Sequence, residues 1–344
     1  MKSRFGPFVA RCPAALLLVI CACSVFVASA DAIAAPLADD VSTVLRTAQR
    51  QFDAGNYAAA ISALQASISQ NPSGDIYYWL GRNYYEIRDY DNAVASAEKS
   101  VALDAKNSLY HQWLGRAYGV KADRERSFFL ARKVKKEFEE AVRLNQANIS
   151  ARRDLEEFCL EAPWIVGGSK DEALAQVNAI ADLDPMEGHL ARGIYYLRTA
   201  KTQELAAGEY RLVLAAKPNR LEQYLEVADF YIRQNQVPNV QTTIQAAAQV
   251  NASDGRLAFY RGVTGVLANS DLSMAERDLK AYIASSPDRS DWPSHASARV
   301  WLGRLYEAEG KRPEAAEQYR AALQLNPSSK DARARLDQLE KSAR

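Results

Sequence analysis

The tetrapeptide Trp-Leu-Gly-Arg occurs three times in this chain of 344 residues, at 79–82, 113–116 and 301–304. Each copy continues as Gly-x-x-Tyr, so a tyrosine follows at the same place every time. The first two copies begin 34 residues apart, at Trp79 and Trp113. A repeat of this length is typical of a unit of two helices and a turn, stacked in a tandem array. The sequence therefore predicts a repeat protein in which each unit contacts its neighbours.

Composition favours helices in every unit. The chain has only 16 glycines and 12 prolines, and its apolar residues recur at the three-to-four spacing of amphipathic helices. Proline cannot continue a helix, so each of four prolines is predicted to follow the end of a second helix. No stretch alternates apolar and polar residues with period two, so the predicted fold class is all-α. The four prolines are Pro72, Pro218, Pro287 and Pro327.

The residues behind the motif resemble those of a known repeat family. After the tyrosine of the last copy come, at fixed intervals, an alanine, an aromatic residue and a proline: Ala315, Tyr319 and Pro327. This succession resembles the tetratricopeptide repeat (TPR) family, with its pattern Leu-Gly-x-x-Tyr, Ala-x-x-x-Phe and proline. The resemblance covers residues 41–344 and is most specific in the first, second and last units, since the middle units lack the motif's glycine. It implies a right-handed α-solenoid of about eight repeats, of the exported bacterial type.

Turn markers divide the predicted solenoid into eight units, followed by a polar helix at 330–344 that would cap its apolar end. The third copy of the motif lies further from the second than five plain periods, so insertions are expected in units three and four and near Asp288–His295. The extra residues of unit three are predicted to lengthen its second helix by about two turns. The units run over 41–73, 74–107, 108–148, 149–186, 187–220, 221–254, 255–295 and 296–329.

The N-terminus has the three parts of a secretory signal peptide. A basic start precedes an apolar run at 14–27, and Ala-Ser-Ala at 28–30 supplies a small-x-small cleavage site. We expect residues 1–30 to be removed, residues 31–40 to form a linker, and the mature protein to be periplasmic or secreted. Two alternatives stay open: the segment is an uncleaved membrane anchor, or the chain is a lipoprotein modified at Cys23.

First helices line the concave face of stacked helix pairs, and the resemblance implies that this face binds an extended peptide or a partner's helix. The arginine after each motif glycine is expected to point into that groove and to hold carboxylates. In the alternative, each arginine pairs with an acidic residue such as Glu86 or Asp75. The candidate groove residues are Tyr78, Arg82, Tyr85, Gln112, Arg116, Arg153, Tyr195, Asp229, Arg233, Tyr260 and Arg304.

The insertions of units three and four place aromatic residues among basic ones. Residues 121–136 contain seven basic and two acidic residues together with Phe128 and Phe129. We expect Trp164 and Ile165, with the adjoining valine, to cover these two rings, and Ser169 to cap the next helix. In the alternative, Phe128, Phe129, Trp164 and Ile165 form an exposed docking patch for a membrane or a partner protein.

Several chemistries find no support in the sequence. Lys+Arg and Asp+Glu number 43 and 42, so nucleic-acid binding by net charge is not expected. Histidines and cysteines lack metal-ligand spacing, and no cofactor or nucleophile motif is present. Cys159, the one cysteine beyond residue 30, is expected to be a buried thiol. The adjacent Glu156 and Glu157 are expected to be solvated.

The sequence therefore predicts a non-enzymatic interaction scaffold of the cell envelope, with no cofactor or metal, that binds a protein or peptide partner in its groove. Membrane association is expected only through a retained or lipidated signal segment. Three alternatives stay open: an assembly factor that oligomerises through the solenoid ends or the insertion patch, an accessory subunit of an envelope enzyme complex, and a hydrolase without a recognisable motif.

Overall fold

The computed structural model describes residues 41–199 and 202–341, which belong to one compact unit. The predicted signal peptide at 1–30, the linker at 31–40 and Cys23 lie outside the described residues. Within the described ranges the chain forms helices and turns and contains no strand, which confirms the predicted all-α class. None of the described helices is long and apolar enough to cross a membrane.

Eight helix pairs follow one another and are closed by a last helix, α17 (Lys330–Lys341). The pairs are α1 (Val41–Asp53) with α2 (Tyr57–Ile68), α3 (Gly74–Glu86) with α4 (Tyr90–Leu103), α5 (Ser108–Glu125) with α6 (Phe128–Leu144), α7 (Ile149–Glu161) with α8 (Lys170–Leu183), α9 (Pro185–Thr199) with α10 (Gln203–Ala215), α11 (Leu221–Arg233) with α12 (Val237–Val250), α13 (Arg256–Ala268) with α14 (Leu272–Ser285), and α15 (His295–Ala308) with α16 (Arg312–Leu325).

The first helices form the inner layer of the solenoid. Every helix packs on the helices before and after it, and first helices of neighbouring pairs also touch one another, for example α3 with α5, α5 with α7, and α7 with α9. Side-by-side contact of this kind is expected on the inner side of a curved stack, where the elements crowd together. The first helices therefore line the concave face, as the sequence predicts.

The motif glycine lets the two helices of a pair approach closely. A Cβ added at Gly115 would lie 2.5 Å from the ring of Phe138 on α6, and one added at Gly81 would lie 3.2 Å from the carbonyl oxygen of Ala93 on α4. The middle units were expected to lack this glycine, but Gly193 meets Tyr210 in the same way. The helices α9 and α10 of unit five therefore also cross closely at a glycine, although the residues around Gly193 differ from Trp-Leu-Gly-Arg.

The insertion of unit three is shared between two helices, so the prediction that only the second helix is lengthened is wrong. α5 has 18 residues and α6 has 17, whereas α3 has 13 and α4 has 14. The turn is fixed by Arg126, which adopts a left-handed conformation (φ 52°) at the end of α5, and by Ser127, whose side chain caps α6. These two residues place the turn late in the unit, so both helices extend.

The loop at 286–294, where an insertion was predicted, reaches back to the first two repeats. The backbone N–H and the hydroxyl of Ser290 each donate to the Glu86 carboxylate at 2.8 Å. The Arg289 guanidinium lies 5.1 Å from the centre of the Phe52 ring, and Tyr57 donates to the carbonyl oxygen of Asp288 at 3.3 Å. The last and first parts of the described solenoid therefore hold each other in place.

We predict that the double variant Glu86→Ala/Arg289→Ala separates the two ends. It removes charge-assisted hydrogen bonds and a cation–π contact, so the free energy of unfolding should fall by about 2–3 kcal/mol. The radius of gyration from small-angle X-ray scattering should rise while helix content by circular dichroism is kept. Arg277→Ala, at an exposed position of α14, is the control. An unchanged scattering curve in the double variant would contradict the closure.

Candidate partner-binding groove

The concave face contains a cavity of about 860 Å³ in the middle of the solenoid. Its walls come from four successive first helices, α5, α7, α9 and α11, together with Arg220 from the turn before α11. We call it the groove cavity. A volume of this size lies within the range that proteins use for ligands or for several side chains of a bound segment.

An ion-pair network centred on Arg153 forms the floor of the groove cavity. The Arg153 guanidinium lies 2.8 Å from a carboxylate oxygen of Glu226 and 3.4 Å from one of Glu187. Glu187 is buried and also accepts from Arg220 at 3.0 Å and from Gln223 at 2.9 Å. A buried charge needs such partners, because removing an unpaired charge from water costs a large amount of free energy.

The electrostatics at Arg153 show that its carboxylate partners outweigh burial. Burial disfavours its charge, but the carboxylates of Glu226, Glu156 and Glu187 hold the pKa of Arg153 above its usual value. The guanidinium therefore stays charged and keeps neighbouring first helices in register. Arg116 also forms an ion pair across neighbouring first helices, since its Nε atom lies 2.8 Å from a carboxylate oxygen of Asp154 on α7.

Glu156 is the exception to this pairing. It was expected to be solvated, but it is only 2% exposed, and its Oε1 atom has no hydrogen-bond partner. Burial raises the pKa of Glu156 to about 8, against the opposing charge of Arg153. The expectation was wrong because it considered only α7, on which Glu156 and Glu157 point in different directions. Glu156 is covered by the neighbouring first helices. Glu157 does remain exposed.

Arginines of the Trp-Leu-Gly-Arg motif stack on aromatic rings. The guanidinium carbon of Arg82 lies 4.5 Å from the centre of the Phe52 ring, 4.6 Å from that of Trp79 and 4.6 Å from that of Trp113. Three rings around one guanidinium form a cation–π cage. Arg82 therefore joins the first three first helices, and the expected carboxylate pairing is absent among its described contacts.

The other two motif arginines repeat part of this arrangement. Arg116 lies 5.0 Å from the ring centre of Trp113, and Arg304 lies 4.2 Å from that of Trp301. In all three copies the arginine therefore stacks on the tryptophan three residues before it in the same helix. Of the motif arginines, only Arg116 pairs with an acidic side chain of the next repeat, and its partner is Asp154 rather than Glu86 or Asp75.

The predicted groove residues fall into three sets: some are buried, some line the groove cavity, and some are half-buried outside it. Tyr78, Gln112 and Tyr260 are buried at 7%, 2% and 3% exposure, so the expectation that they face the open groove is wrong. They lie between neighbouring first helices, where Tyr260, for example, donates to Asp229 at 3.0 Å. Burial raises the pKa of Asp229 to about 6. The members of the predicted set that line the groove cavity are Arg116, Arg153 and Arg233.

Tyr85 and Tyr195 are half-buried and lie outside the groove cavity. Tyr85 contacts Tyr90 and Trp113 edge to face, with ring centres 5.7 and 6.0 Å apart. Tyr195 contacts Tyr196 at 6.1 Å. Both side chains therefore serve packing within and between repeats.

The acidic residues of the groove cavity were missed by the sequence analysis. A sequence signal for the paired acidic residues exists, namely opposite charges spaced by one repeat period of 34 residues. Two pairs have this spacing: Arg153 with Glu187, and Glu222 with Arg256. Pairs at this spacing on first helices meet across neighbouring repeats. Glu156 has no partner of this kind, so its burial could be found only from the three-dimensional packing.

The predicted docking patch is exposed. Phe128 and Phe129 are 65% and 69% exposed, and Trp164 and Ile165 are 84% and 52% exposed. The expectation that the second pair covers the first is therefore wrong. Only Val166 is buried at this place, because the short helical turn Trp164–Val166 turns its valine inward and the preceding residues outward.

Two further expectations are confirmed. Ser169 caps α8 by accepting from the backbone N–H of Glu172 at 3.2 Å. Cys159 is a free, buried thiol, and burial raises its pKa to about 12. A thiol in this state is a poor nucleophile.

We predict that Glu156→Gln changes the pH dependence of stability. Between pH 4.5, the ordinary pKa of a glutamate, and about pH 8, the pKa of folded Glu156, the folded chain keeps a proton that the unfolded chain releases. The free energy of unfolding therefore falls as pH rises through this range. Relative to the variant, native protein should lose about 3 kcal/mol of unfolding free energy from about pH 5 to about pH 8. Urea denaturation at both pH values measures this. Glu314→Gln, at an exposed site, is the control, and parallel pH profiles for native protein and Glu156→Gln would contradict the burial.

Comparison with protein families finds one match, at the two ends of the described solenoid. Residues 45–108 and 260–330 match the tetratricopeptide repeat family model. A comparison with curated protein sequences finds no match. Similar solved structures include the Cut9–Hcn1 hetero-tetramer of the APC/C, with 12% identity, a TM-score of 0.49, and 87% of this chain and 56% of that chain covered. A tetratricopeptide repeat protein from Parabacteroides merdae has 13% identity and a TM-score of 0.42, with 87% and 98% covered.

The family model thus matches both ends of the described solenoid, and residues 109–259 lie outside the two matched segments. Within the described residues the chain is an α-solenoid of helix pairs, and its two ends match the tetratricopeptide repeat family model.

Proposed function

We propose that this protein is a non-enzymatic scaffold that holds an extended segment of a protein partner in the groove cavity. The observation that carries the proposal is an 860 Å³ cavity across four successive first helices, with ionisable groups that form no ion pair with a described side chain. Tetratricopeptide repeats generally mediate protein–protein interaction, which supports a binding role for the concave face.

The unpaired groups indicate the chemistry of the segment. On α7, Glu156 and Glu157 have no ion pair among the described residues, and on α11 Arg233 has none either. Glu156 lines the cavity, but its open oxygen is covered in the empty groove. A lysine or arginine side chain placed against α7 would satisfy that oxygen by a charge-assisted hydrogen bond once the carboxyl group turns toward the cavity. A carboxylate of the same segment would be attracted to Arg233. The favoured guest therefore presents a cationic side chain toward α7.

Protonation is coupled to this binding. The pKa of about 8 means that Glu156 mostly keeps its proton at neutral pH while the cavity is empty. A cationic side chain favours the ionised carboxylate, so its arrival would lower that pKa and release the proton. Binding should therefore strengthen as pH rises toward 8, because less work is needed to deprotonate Glu156.

The proposed location is the cell envelope, on the basis of the predicted signal peptide at 1–30. In the periplasmic or secreted form, the scaffold would meet its partner outside the cytoplasm. A lipid at Cys23 or a retained signal segment would instead tether it to a membrane.

We predict that a labelled Lys-Ala-Lys-Ala-Lys-Ala peptide binds the full chain about tenfold more tightly than its glutamate counterpart, and less tightly as salt is raised. Glu156→Gln/Glu157→Gln should weaken binding of the lysine peptide about tenfold, because the unpaired carboxylates are removed. Fluorescence anisotropy measures both affinities, and calorimetry in two buffers measures the released proton.

Glu314→Gln, which leaves the groove cavity unchanged, should bind the lysine peptide like the native chain. Equal affinities for the two peptides, or unchanged lysine-peptide affinity in the double glutamine variant, would refute the proposed chemistry of the groove.

A further inference from the structure

The three exposed aromatic rings of the described residues lie at one place. Phe128, Phe129 and Trp164 are 65%, 69% and 84% exposed, whereas every other described phenylalanine, tyrosine and tryptophan is buried or half-buried. Ile165 adds a fourth apolar side chain at 52% exposure. We call these four residues the aromatic tip. A soluble protein that hides all its other rings rarely leaves such a group in water without a binding partner.

The tip is built on a fixed backbone. The Arg132 guanidinium on α6 donates to the carbonyl oxygen of Ile165 at 3.3 Å, and the Lys135 ammonium donates to that of Gly167 at 3.0 Å. Val166 is 4% exposed and anchors the turn between them. The turn at 164–166 and the start of α6 are therefore joined, so the four exposed apolar side chains are carried by two segments that are in direct contact.

Basic side chains without an ion-pair partner among the described residues flank the aromatic tip along the chain. Lys121 and Lys135 are neutralised by Asp91 and Glu172 respectively. Five other basic residues between 124 and 136 form no ion pair with a described carboxylate, and four of the five are exposed. These five residues, the basic rim, are Arg124, Arg126, Arg132, Lys133 and Lys136.

The combination of tip and rim distinguishes between possible partners. A second copy of the same surface would bring two basic rims together, and like charges repel. An anionic bilayer offers what both parts need: an interface where aromatic rings are favoured and a layer of phosphates for lysine and arginine. Long basic side chains can reach the phosphates while the rings enter the boundary between headgroups and acyl chains.

We propose that the aromatic tip and the basic rim dock this protein on the surface of an anionic lipid bilayer. The rings of Phe129 and Trp164 enter the interface, and the basic rim contacts lipid phosphates. This attachment is peripheral and needs neither a spanning helix nor a lipid on the chain. It is independent of the groove cavity, which lies on other walls formed by α5, α7, α9 and α11.

The test is sedimentation of the full chain with vesicles of phosphatidylcholine, with and without phosphatidylglycerol. The native chain should bind the mixed vesicles more tightly, and high salt should weaken that binding. Phe129→Ser/Trp164→Ser should lower the partition coefficient on mixed vesicles about tenfold. Lys133→Gln/Lys136→Gln should lower it several-fold and reduce the dependence on salt.

Matched controls separate the tip from general hydrophobicity and from the N-terminal segment. Leu103→Ser/Leu212→Ser removes two side chains that are each 50% exposed elsewhere, and it should bind vesicles like the native chain. All variants carry the same residues 1–40, so a difference between them reports the substituted surface. Thermal melts should coincide for Phe129→Ser/Trp164→Ser and the native chain, since exposed rings add little to stability.

Two results would overturn the proposal. One is unchanged binding to mixed vesicles when both Phe129 and Trp164 are replaced. The other is a concentration-dependent dimer of the native chain, seen without lipid by light scattering and lost in that variant, which would identify the surface as a protein interface.

Discussion

Close approach of two helix backbones at a glycine is the constraint on which the rest of this structure depends. At Gly115 the ring of Phe138 occupies the space that a Cβ would need, and Gly193 receives Tyr210 in the same way. Each pair with such a glycine therefore packs tightly as one unit, and its remaining apolar surface is covered by the next pair. Stacking in this way leaves the first helices touching on the inner side, so the concave wall follows from the crossings.

The repeat period determines which charged residues of the concave wall can form ion pairs. Because equivalent positions of neighbouring first helices lie side by side, opposite charges one period apart can meet, as Arg153 does with Glu187. Arg82 has no carboxylate partner among the described residues, and its charge is instead stabilised by aromatic rings, including those of Phe52 and Trp113. Glu156 departs from this pairing, since it is buried on the wall with an oxygen that lacks a partner. A buried group that the fold leaves unsatisfied costs free energy, and that cost is recovered when a guest supplies the missing partner.

The sequence was informative wherever the cause is local or periodic. Helix pairs, the cap at Ser169 and the burial of Cys159 depend on residues within one unit, and each was predicted correctly. The burial of Glu156 and the contacts of the 286–294 loop depend on how far each pair turns against the next. That angle is summed over several repeats and leaves no mark in a short stretch of sequence.

The central claim is that the groove cavity holds a buried carboxyl group whose proton a cationic guest displaces. Carbon-13 NMR of the Glu156 side-chain carboxyl, assigned with the help of Glu156→Gln and titrated with and without the lysine peptide, tests it most directly. The account predicts a midpoint near 8 in the free protein and a much lower one in the complex. A midpoint near the ordinary value of 4.5 in the free protein, or one that the peptide leaves unchanged, would contradict it.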